Sequence, residues 1–248
     1  MSTTTIPPEI DYPESDGKPM GETELHRDWT IRLLDILRHR YRDQEVYVAS
    51  DLLLYYEEGT PAKFVVPDCF VVLNCAKHRR RTFQTWKEGR VPDVVIEVTS
   101  RSTSSVDMID KPRIFESMGL QEYFLFDPTN DYLESALQGY RLTHGHLREI
   151  PAINGHLRSL ALGVDLSLHD RDLVIVDYET GTEQVTRAEF AELEKEQERA
   201  EKVRERTEKL QERKEKERER EARQAAETRN QELEEELRRL KAERGDHA

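Results

Sequence analysis

The sequence has few of the features that mark secreted, membrane or zinc-binding proteins. It contains only two cysteines, Cys69 and Cys75, too few for a disulfide framework or a four-cysteine zinc site, so both are interpreted as small buried hydrophobic residues. No apolar run approaches the roughly 18 residues of a membrane span, and the first residues lack the basic and apolar regions of a secretory signal. We therefore expect a cytoplasmic protein with no membrane partner.

Basic residues are in the minority. The 38 Lys and Arg stand against 51 Asp and Glu, which gives a net charge of −13. From residue 191 onward, 19 acidic and 17 basic residues nearly balance, so most of the acidic excess lies in the preceding residues. This excess argues against a protein that coats DNA through many phosphate contacts, although it does not exclude a local basic groove.

The composition divides the chain into three zones. Residues 1–20 hold four of the ten prolines, which predicts a flexible N-terminal segment. Residues 21–180 carry alternating helical and strand patterns and are expected to form the folded domain. Residues 187–246 include the apolar-free stretch QERKEKERERE, with leucines near the end. We expect a charged helix that forms a coiled coil in a homo-oligomer, with a solitary solvated helix as the alternative.

The pattern of the folded domain predicts an α/β fold. Apolar residues recur at helical spacing from Thr23 to Arg42, and a second, short helix is expected from Met108 to Met118, where Gly119 follows. That short helix separates two predicted strands, so we expect a crossover within a mixed sheet. The main predicted strands are Val46 to Ala49, Leu52 to Glu57, Phe64 to Leu73, Val94 to Thr99, Glu122 to Phe126 and Tyr132 to Leu142.

Two carboxylates interrupt apolar strand patterns. Asp68 lies within FVVPDCFVV and Glu97 lies within PDVVIEVT. A buried carboxylate must be paired, hydrogen-bonded or bound to a metal. If the two strands are neighbours, Asp68 and Glu97 can share one Mg²⁺ ion, which takes oxygen ligands and keeps several waters. Asp93 is a weaker partner for Glu97, because four residues along a strand span roughly 13 Å.

The spacing of these carboxylates resembles a nuclease pattern. Asp68 follows a proline and is separated by 28 residues from Glu97, which is similar to the PD-(D/E)XK arrangement without its final lysine. The stretch VPDVVIEVTSRSTSSVDMIDKPRIFESMGLQEYFLFDP resembles the core of the Uma-type family, named "putative restriction endonuclease", a domain of unknown function within that superfamily. The resemblance covers about residues 20–180. It implies a restriction-endonuclease-like core, in which helices flank a mixed sheet.

The resemblance also implies a function and a set of site residues. It implies a metal-dependent endonuclease that hydrolyses phosphodiester bonds of nucleic acid, with DNA as the expected substrate. By position, Asp68 and Glu97 become ligands of Mg²⁺, or of Mn²⁺ in its place, and the Val98 carbonyl becomes a third ligand. Thr99 replaces the usual lysine, and Lys111 matches the place of a lysine that takes over its role. Because Lys111 precedes a proline, it is expected at the entrance of the short helix.

Three accessory positions follow from the same resemblance. Glu24 and His26 match family positions on the first helix, and Asp107 matches an acidic position before the short helix. Each also has a plain structural interpretation, as a solvated helix residue for the first two and as a helix cap for Asp107. The two main carboxylates, Asp68 and Glu97, also have a structural interpretation without any metal, in which they cap a turn or pair with Arg101 or Arg113.

One dense basic patch lies between the two carboxylate strands. It consists of Lys77, Arg79, Arg80 and Arg81, and it is expected to contact a phosphate backbone without reading base sequence. Its alternative interpretation is a solvated charged loop. The sequence thus leaves two functions open, a Mg²⁺-dependent endonuclease or a catalytically inactive binding and scaffold module with the same fold. Metal binding separates them.

Overall fold

The computed structural model describes residues 10–17, 23–101 and 103–245, with side chains up to residue 239. It divides into two compact units, which we call the head, up to Arg187, and the tail, from Ala188. The helices are α1 (Glu24–Arg40), α2 (Thr85–Glu88), α3 (Lys111–Met118) and α4 (Arg187–Gly245), and a π-turn spans Val106–Asp110. The strands are β1 (Val46–Ala49), β2 (Leu54–Tyr55), β3 (Phe64–Val65), β4 (Cys69–Leu73), β5 (Phe83–Gln84), β6 (Val94–Val98), β7 (Glu122–Phe126), β8 (Leu137–Thr143), β9 (His146–Glu149), β10 (Leu157–Ser159), β11 (Val164–His169) and β12 (Asp172–Asp177).

A six-stranded mixed sheet forms the centre of the head, as predicted. Its order is β1-β4-β6-β7-β8-β9. The β6 and β7 strands are parallel and are joined by the crossover through α3, whereas the other neighbours are antiparallel. The positive φ of 83° at Gly119 ends α3, because glycine adopts this left-handed conformation without a steric penalty.

The two faces of the sheet bury separate cores. The α1 face holds Trp29 and Leu33 against Ile96 and Phe126, while the opposite face holds Phe115 of α3 against the sheet. The β6 and β7 strands are buried on both faces, which explains their continuous apolar runs. Since side chains alternate along a strand, Glu97 shares the α3 face of β6 with Val95, which packs in the core on that side.

A small antiparallel sheet, β10-β11-β12, flanks the α1 side of the head. Arg40 at the end of α1 ties it in place by donating to the Leu162 carbonyl at 3.1 Å and to the Asp177 carboxylate at 2.9 Å. The Tyr41 hydroxyl adds a bond to the same Leu162 carbonyl at 3.0 Å. The Thr180 N–H and then Arg40 lower the pKa of Asp177 to about 2.

This contact predicts a pH-dependent loss of stability in the Asp177→Asn variant. The folded-state pKa of about 2 lies below the ordinary value of 3.8, so the ionised carboxylate contributes its full stability above about pH 4 and loses it as the pH falls from there through about 2. We expect the urea unfolding midpoints of wild type and variant to differ at pH 6, to differ less at pH 3, and to converge below about pH 2. An unchanging difference would contradict this assignment, and Asp172→Asn on the same strand is the control.

Three predicted element boundaries were wrong for identifiable reasons. The predicted strand from Phe64 to Leu73 is broken into β3 and β4, because Pro67 has no N–H to donate and the chain bends at Asp68. Asp68 therefore precedes β4 instead of lying inside a strand. The strand predicted from Tyr132 begins at Leu137, since the Asp127 carboxylate accepts bonds from the N–H groups of Tyr132 and the residue after it. The short helix begins at Lys111, after the π-turn.

Most of the predicted N-terminal segment, residues 1–9 and 18–20, lies outside the described residues. Within the described part, the Pro13 carbonyl accepts a bond from the Tyr55 hydroxyl, and the Tyr12 hydroxyl accepts one from the Gly59 N–H. Residues 10–17 therefore contact the head.

The tail, described by itself, is one long helix with exposed side chains. Pairs spaced one helical turn apart, such as Glu198 with Lys202 and Glu212 with Lys216, run along it and each stabilises a helix by only about 0.3–0.5 kcal/mol. Leu233 and Leu237 are exposed on one face near its end. Among the described helices, none combines the length and apolar character that a membrane crossing requires.

Candidate active site

Asp68 and Glu97 meet where β4 and β6 lie side by side. The antiparallel register pairs Cys69 with Ile96, which brings the residue before β4 against the end of β6. The Asp68 N–H donates to Glu97 Oε2 at 3.1 Å, and the Val98 N–H donates to Asp68 Oδ2 at 2.8 Å. Glu97 is fully buried, whereas Asp68 keeps 7% of its surface exposed. The pair thus has one carboxylate that reaches solvent.

Lys111 reaches this pair from α3. Its Nζ lies 2.8 Å from Glu97 Oε1 and 2.9 Å from Asp107 Oδ1. Lys111 has helical φ and ψ of −60° and −43° although Pro112 follows it. The π-turn carries Asp107 at its start, and the Tyr123 hydroxyl donates to the Asp107 carbonyl at 2.8 Å. Such turns are frequent at functional sites.

His26 reaches the pair from the opposite face of the sheet. It lies in the first turn of α1, is 1% exposed, and its Nε2 is 3.1 Å from Asp68 Oδ2. The Thr23 hydroxyl caps α1 by accepting from the His26 N–H at 3.2 Å. Glu24 lies in the same turn but is exposed. Of these two candidates on α1, the structure brings only His26 to the carboxylates.

Burial is the largest influence on the titration of this cluster. It raises the pKa of Glu97 well above the ordinary value, and Lys111 opposes only part of that effect. Burial also raises the pKa of Asp107. It acts on Asp68 in the same direction, but the bond from His26 and the charge of Lys111 outweigh it and lower the pKa. Burial lowers the pKa of Lys111, but the neighbouring carboxylates raise it by more, so the net pKa is raised. Three carboxyl groups therefore lie around one lysine, and burial disfavours the ionised form of two of them, Glu97 and Asp107.

The helix-cap interpretation of Asp107 and the arginine partners of the two carboxylates are excluded, and Asp93, the weaker partner proposed for Glu97, has other contacts. Asp107 is not a helix cap, because it is buried beside Lys111 and the N-cap of α3 is Asp110. Neither Arg101 nor Arg113 pairs with the carboxylates, and both arginines are exposed. Asp93 accepts bonds at the start of β6, from the Leu73 N–H at 2.7 Å and from Gln121 at 2.6 Å.

The basic patch does not act as one set of exposed cations. Lys77 donates to the carbonyls of Tyr41 and Arg42. Arg80 makes two bonds to Glu88, at 2.7 and 2.8 Å, and its guanidinium lies 4.1 Å from the centre of the Tyr47 ring. Arg81 pairs with Glu14. Arg79 is exposed and makes no hydrogen bond or ion pair with the described residues.

Sequence reasoning missed Asp51 as a residue that lies beside the carboxylate pair. Asp51 follows β1. Its N–H donates to the Pro67 carbonyl at 3.1 Å, so its backbone lies against the residue before Asp68. It has a left-handed φ of 51°, which Asp tolerates better than most residues. Burial raises its pKa, the Ser50 hydroxyl opposes this, and the Asp68 charge adds to it. The available signal was an Asp two residues after the predicted strand that ends at Ala49.

A comparison with protein families identifies the chain. A model of the family Uma2, described as "Putative restriction endonuclease", matches residues 5–169. The protein belongs to the Uma2 family. The match contains every residue of the Asp68, Glu97 and Lys111 cluster, and it confirms the resemblance that the sequence suggested.

Two further comparisons add little to the Uma2 assignment. A crystal structure described as "a putative nuclease belonging to DUF820 from Anabaena variabilis" is 16% identical, covers 60% of this chain and 81% of its own, and has a TM-score of 0.43. No curated protein matches the chain. The assignment therefore rests on the Uma2 family model.

Proposed function

We propose that the head is a Mg²⁺-dependent endonuclease that hydrolyses phosphodiester bonds of nucleic acid, with DNA as its substrate. The observation that carries this proposal is the contact of Asp68 and Glu97 across two strands, with the Lys111 Nζ 2.8 Å from Glu97. The description of the Uma2 family supports the same reaction.

The residues of the cluster fit a hard divalent cation. Its donors are carboxylate and carbonyl oxygens, which Mg²⁺ and Mn²⁺ prefer. Among the described residues, no group of three or more His, Cys, Asp and Glu side chains is arranged to hold a metal ion. Two carboxylates with waters and the Val98 carbonyl suffice for Mg²⁺, which is usually held by one or two carboxylates. A bound cation would also favour the ionised form of Glu97, which burial alone disfavours.

Each residue then has a definite task. Asp68 and Glu97 would hold the ion, which when bound acidifies water and offsets charge on phosphoryl oxygens. His26 fixes the orientation of Asp68 through their 3.1 Å contact, as partners of metal ligands commonly do. Lys111 keeps a positive charge beside Glu97 and orients the attacking water, and Asp107 holds Lys111 in place.

The test is cleavage of supercoiled plasmid, single-stranded DNA and RNA by the full chain. We expect nicking of plasmid with Mg²⁺ or Mn²⁺ and none with EDTA. Absence of cleavage on all three substrates, together with no metal binding, would favour the inactive binding module with the same fold. Cleavage of RNA alone would retain the nuclease and overturn DNA as its substrate.

We also propose that the tail joins copies of the chain into a homo-oligomer. Leu233 and Leu237 supply an exposed apolar face on an otherwise charged helix. We expect the Leu233→Ser, Leu237→Ser double variant to sediment at lower mass than wild type at the same concentration.

The control for this variant is Leu160→Ser, which removes an exposed leucine from the head. A wild type that sediments as a single chain would contradict the proposal. An unchanged oligomer in the double variant would exclude these leucines as the contact.

A further inference from the structure

A basic groove lies between α1, the β1 edge strand and the loop after β4. Its volume is about 670 Å³. The β1 strand forms its floor and is the outermost strand on this side of the sheet. Residues 77–80 form one wall. Leu34 and Arg38 of α1 form the other, together with Arg42 in the turn that follows the helix.

The charge of this groove is opposite to that of the whole chain. Its lining contains the five cations Arg38, Arg42, Lys77, Arg79 and Arg80. It includes no Asp or Glu among the described residues that line it, although the chain carries a net charge of −13. Grooves that concentrate one sign of charge raise the local concentration of ligands of the other sign.

The five cations differ in their contacts and in their exposure to solvent. Lys77 and Arg80 are held by carbonyls and by Glu88, as described above, and they stabilise the wall. Arg38 donates to the Val48 carbonyl at 3.1 and 3.2 Å. Arg42 pairs with Asp43 at 3.2 Å and contacts His39, but its side chain is exposed. Arg79 is also exposed and makes no hydrogen bond or ion pair with the described residues. The last two are thus best placed to meet a ligand in solvent.

The groove ends beside the carboxylate site. Ser50 lines it, and the Ser50 hydroxyl donates to the carboxylate of the next residue, Asp51, at 2.9 Å. The Asp51 N–H in turn donates to the carbonyl of Pro67 at 3.1 Å, and Asp68 follows directly. A polymer lying along β1 would therefore arrive at Asp68.

We infer that this groove binds the sugar–phosphate backbone of the substrate strand next to the scissile bond, with Arg42 and Arg79 contacting phosphates. The inference rests on the proposed nuclease function and adds the path of the substrate. It replaces the predicted contact set, Lys77, Arg79, Arg80 and Arg81, by contacts from both walls of the groove, with Arg79 in the loop after β4 and Arg42 in the turn after α1. An acidic peptide that pairs with the β1 edge is the competing occupant.

The test is the salt dependence of oligonucleotide binding by the full chain in EDTA. The probes are fluorescein-labelled oligonucleotides of about 30 nucleotides, one single-stranded and one duplex. The proteins are the wild type, the double variant Arg42→Gln, Arg79→Gln, and the control variant Arg171→Gln. Each phosphate contact adds about 0.7 (single strand) to 0.9 (duplex) to the slope of log affinity against log salt. We expect the double variant to lower the magnitude of that slope by about 1.4 for the single strand and about 1.8 for the duplex. The control removes an exposed arginine between β11 and β12 and is expected to leave the slope unchanged.

The outcomes separate this inference from the nuclease proposal. A wild type that cleaves plasmid, with a double variant whose affinity and slope equal those of wild type, would overturn the groove and leave the nuclease intact. A wild type that neither binds nor cleaves nucleic acid would overturn both. Binding of a labelled poly-glutamate peptide in place of oligonucleotide, lost in the double variant, would assign the groove to the competing occupant.

Discussion

Replacing Glu97 by Gln is expected to lower metal-dependent cleavage by at least about 10³-fold. The substitution keeps the shape of the side chain and removes its charge, so the carboxylate is lost as a ligand while the acceptor for the Asp68 N–H remains. A bound metal ion contributes several kcal/mol of charge stabilisation, and a factor of 10³ corresponds to about 4 kcal/mol. Asp68→Asn is expected to cause a similar loss. The measurement is the initial rate of plasmid nicking at saturating Mg²⁺.

Glu122→Gln is the matched control for this loss. Glu122 is a buried glutamate on the adjacent strand β7, where it accepts bonds from Arg141 at 2.8 Å and from the Ser159 hydroxyl. It lies at the opposite end of the paired strands, in register with Val94. If all three variants stay folded, nicking should survive only in Glu122→Gln. Wild-type rates in Glu97→Gln would contradict a role for this carboxylate in the reaction.

Replacing Lys111 by Met is expected to destabilise the head by about 3 kcal/mol as well as to stop cleavage. Lys111 is the shared partner of two fully buried carboxylates, Glu97 and Asp107. Removing one member of a buried ion network leaves uncompensated charge and typically costs about 3–5 kcal/mol. The loss of stability is limited because Glu97 can take up a proton, since burial already raises its pKa. Urea unfolding followed by tryptophan fluorescence reports on the head alone, because both tryptophans lie in it.

A compensated variant separates stability from activity at this site. Adding Glu97→Gln and Asp107→Asn to Lys111→Met removes the stranded charges, so we expect most of the lost stability to return while cleavage stays absent. The difference between the stability change of the triple variant and the sum of the three single changes measures the coupling within the network. A fully stable single variant, Lys111→Met, would show that the two contacts contribute little. Recovery of cleavage in the triple variant would exclude these residues from the reaction.

The sequence predicted the large features of the head because each has a local signal. The β7 strand matches its predicted bounds, from Glu122 to Phe126, since a run of aromatic and branched residues sits between clear breaks. The mixed sheet followed from the single short helix between two strands. The prediction of one continuous strand from Phe64 to Leu73 was wrong. The apolar pattern continues across Pro67, but this residue has no N–H to donate to a neighbouring strand.

The candidate site was predictable in its members but not in its contacts. Asp68 and Glu97 stand out because charge in an apolar run is costly, and the family resemblance singled out Lys111. The ion pair between Lys111 and Asp107 has the i,i+4 spacing of ordinary helical pairs, but no local sequence pattern indicated the π-turn that carries Asp107. A count of charges likewise could not show that Lys77 and Arg80 are held by neighbours from other parts of the head. The carbonyls that hold Lys77 are 35 and 36 residues away, whereas Glu88, which holds Arg80, is eight residues away.

The most direct test of the central claim is a calorimetric titration of Mn²⁺ into the full chain at pH 7. The account predicts one site per chain in the wild type, lost in Asp68→Asn and in Glu97→Gln and retained in Glu122→Gln. Undiminished binding in Asp68→Asn and Glu97→Gln, or no binding by the wild type, would contradict the claim that these two carboxylates hold the metal.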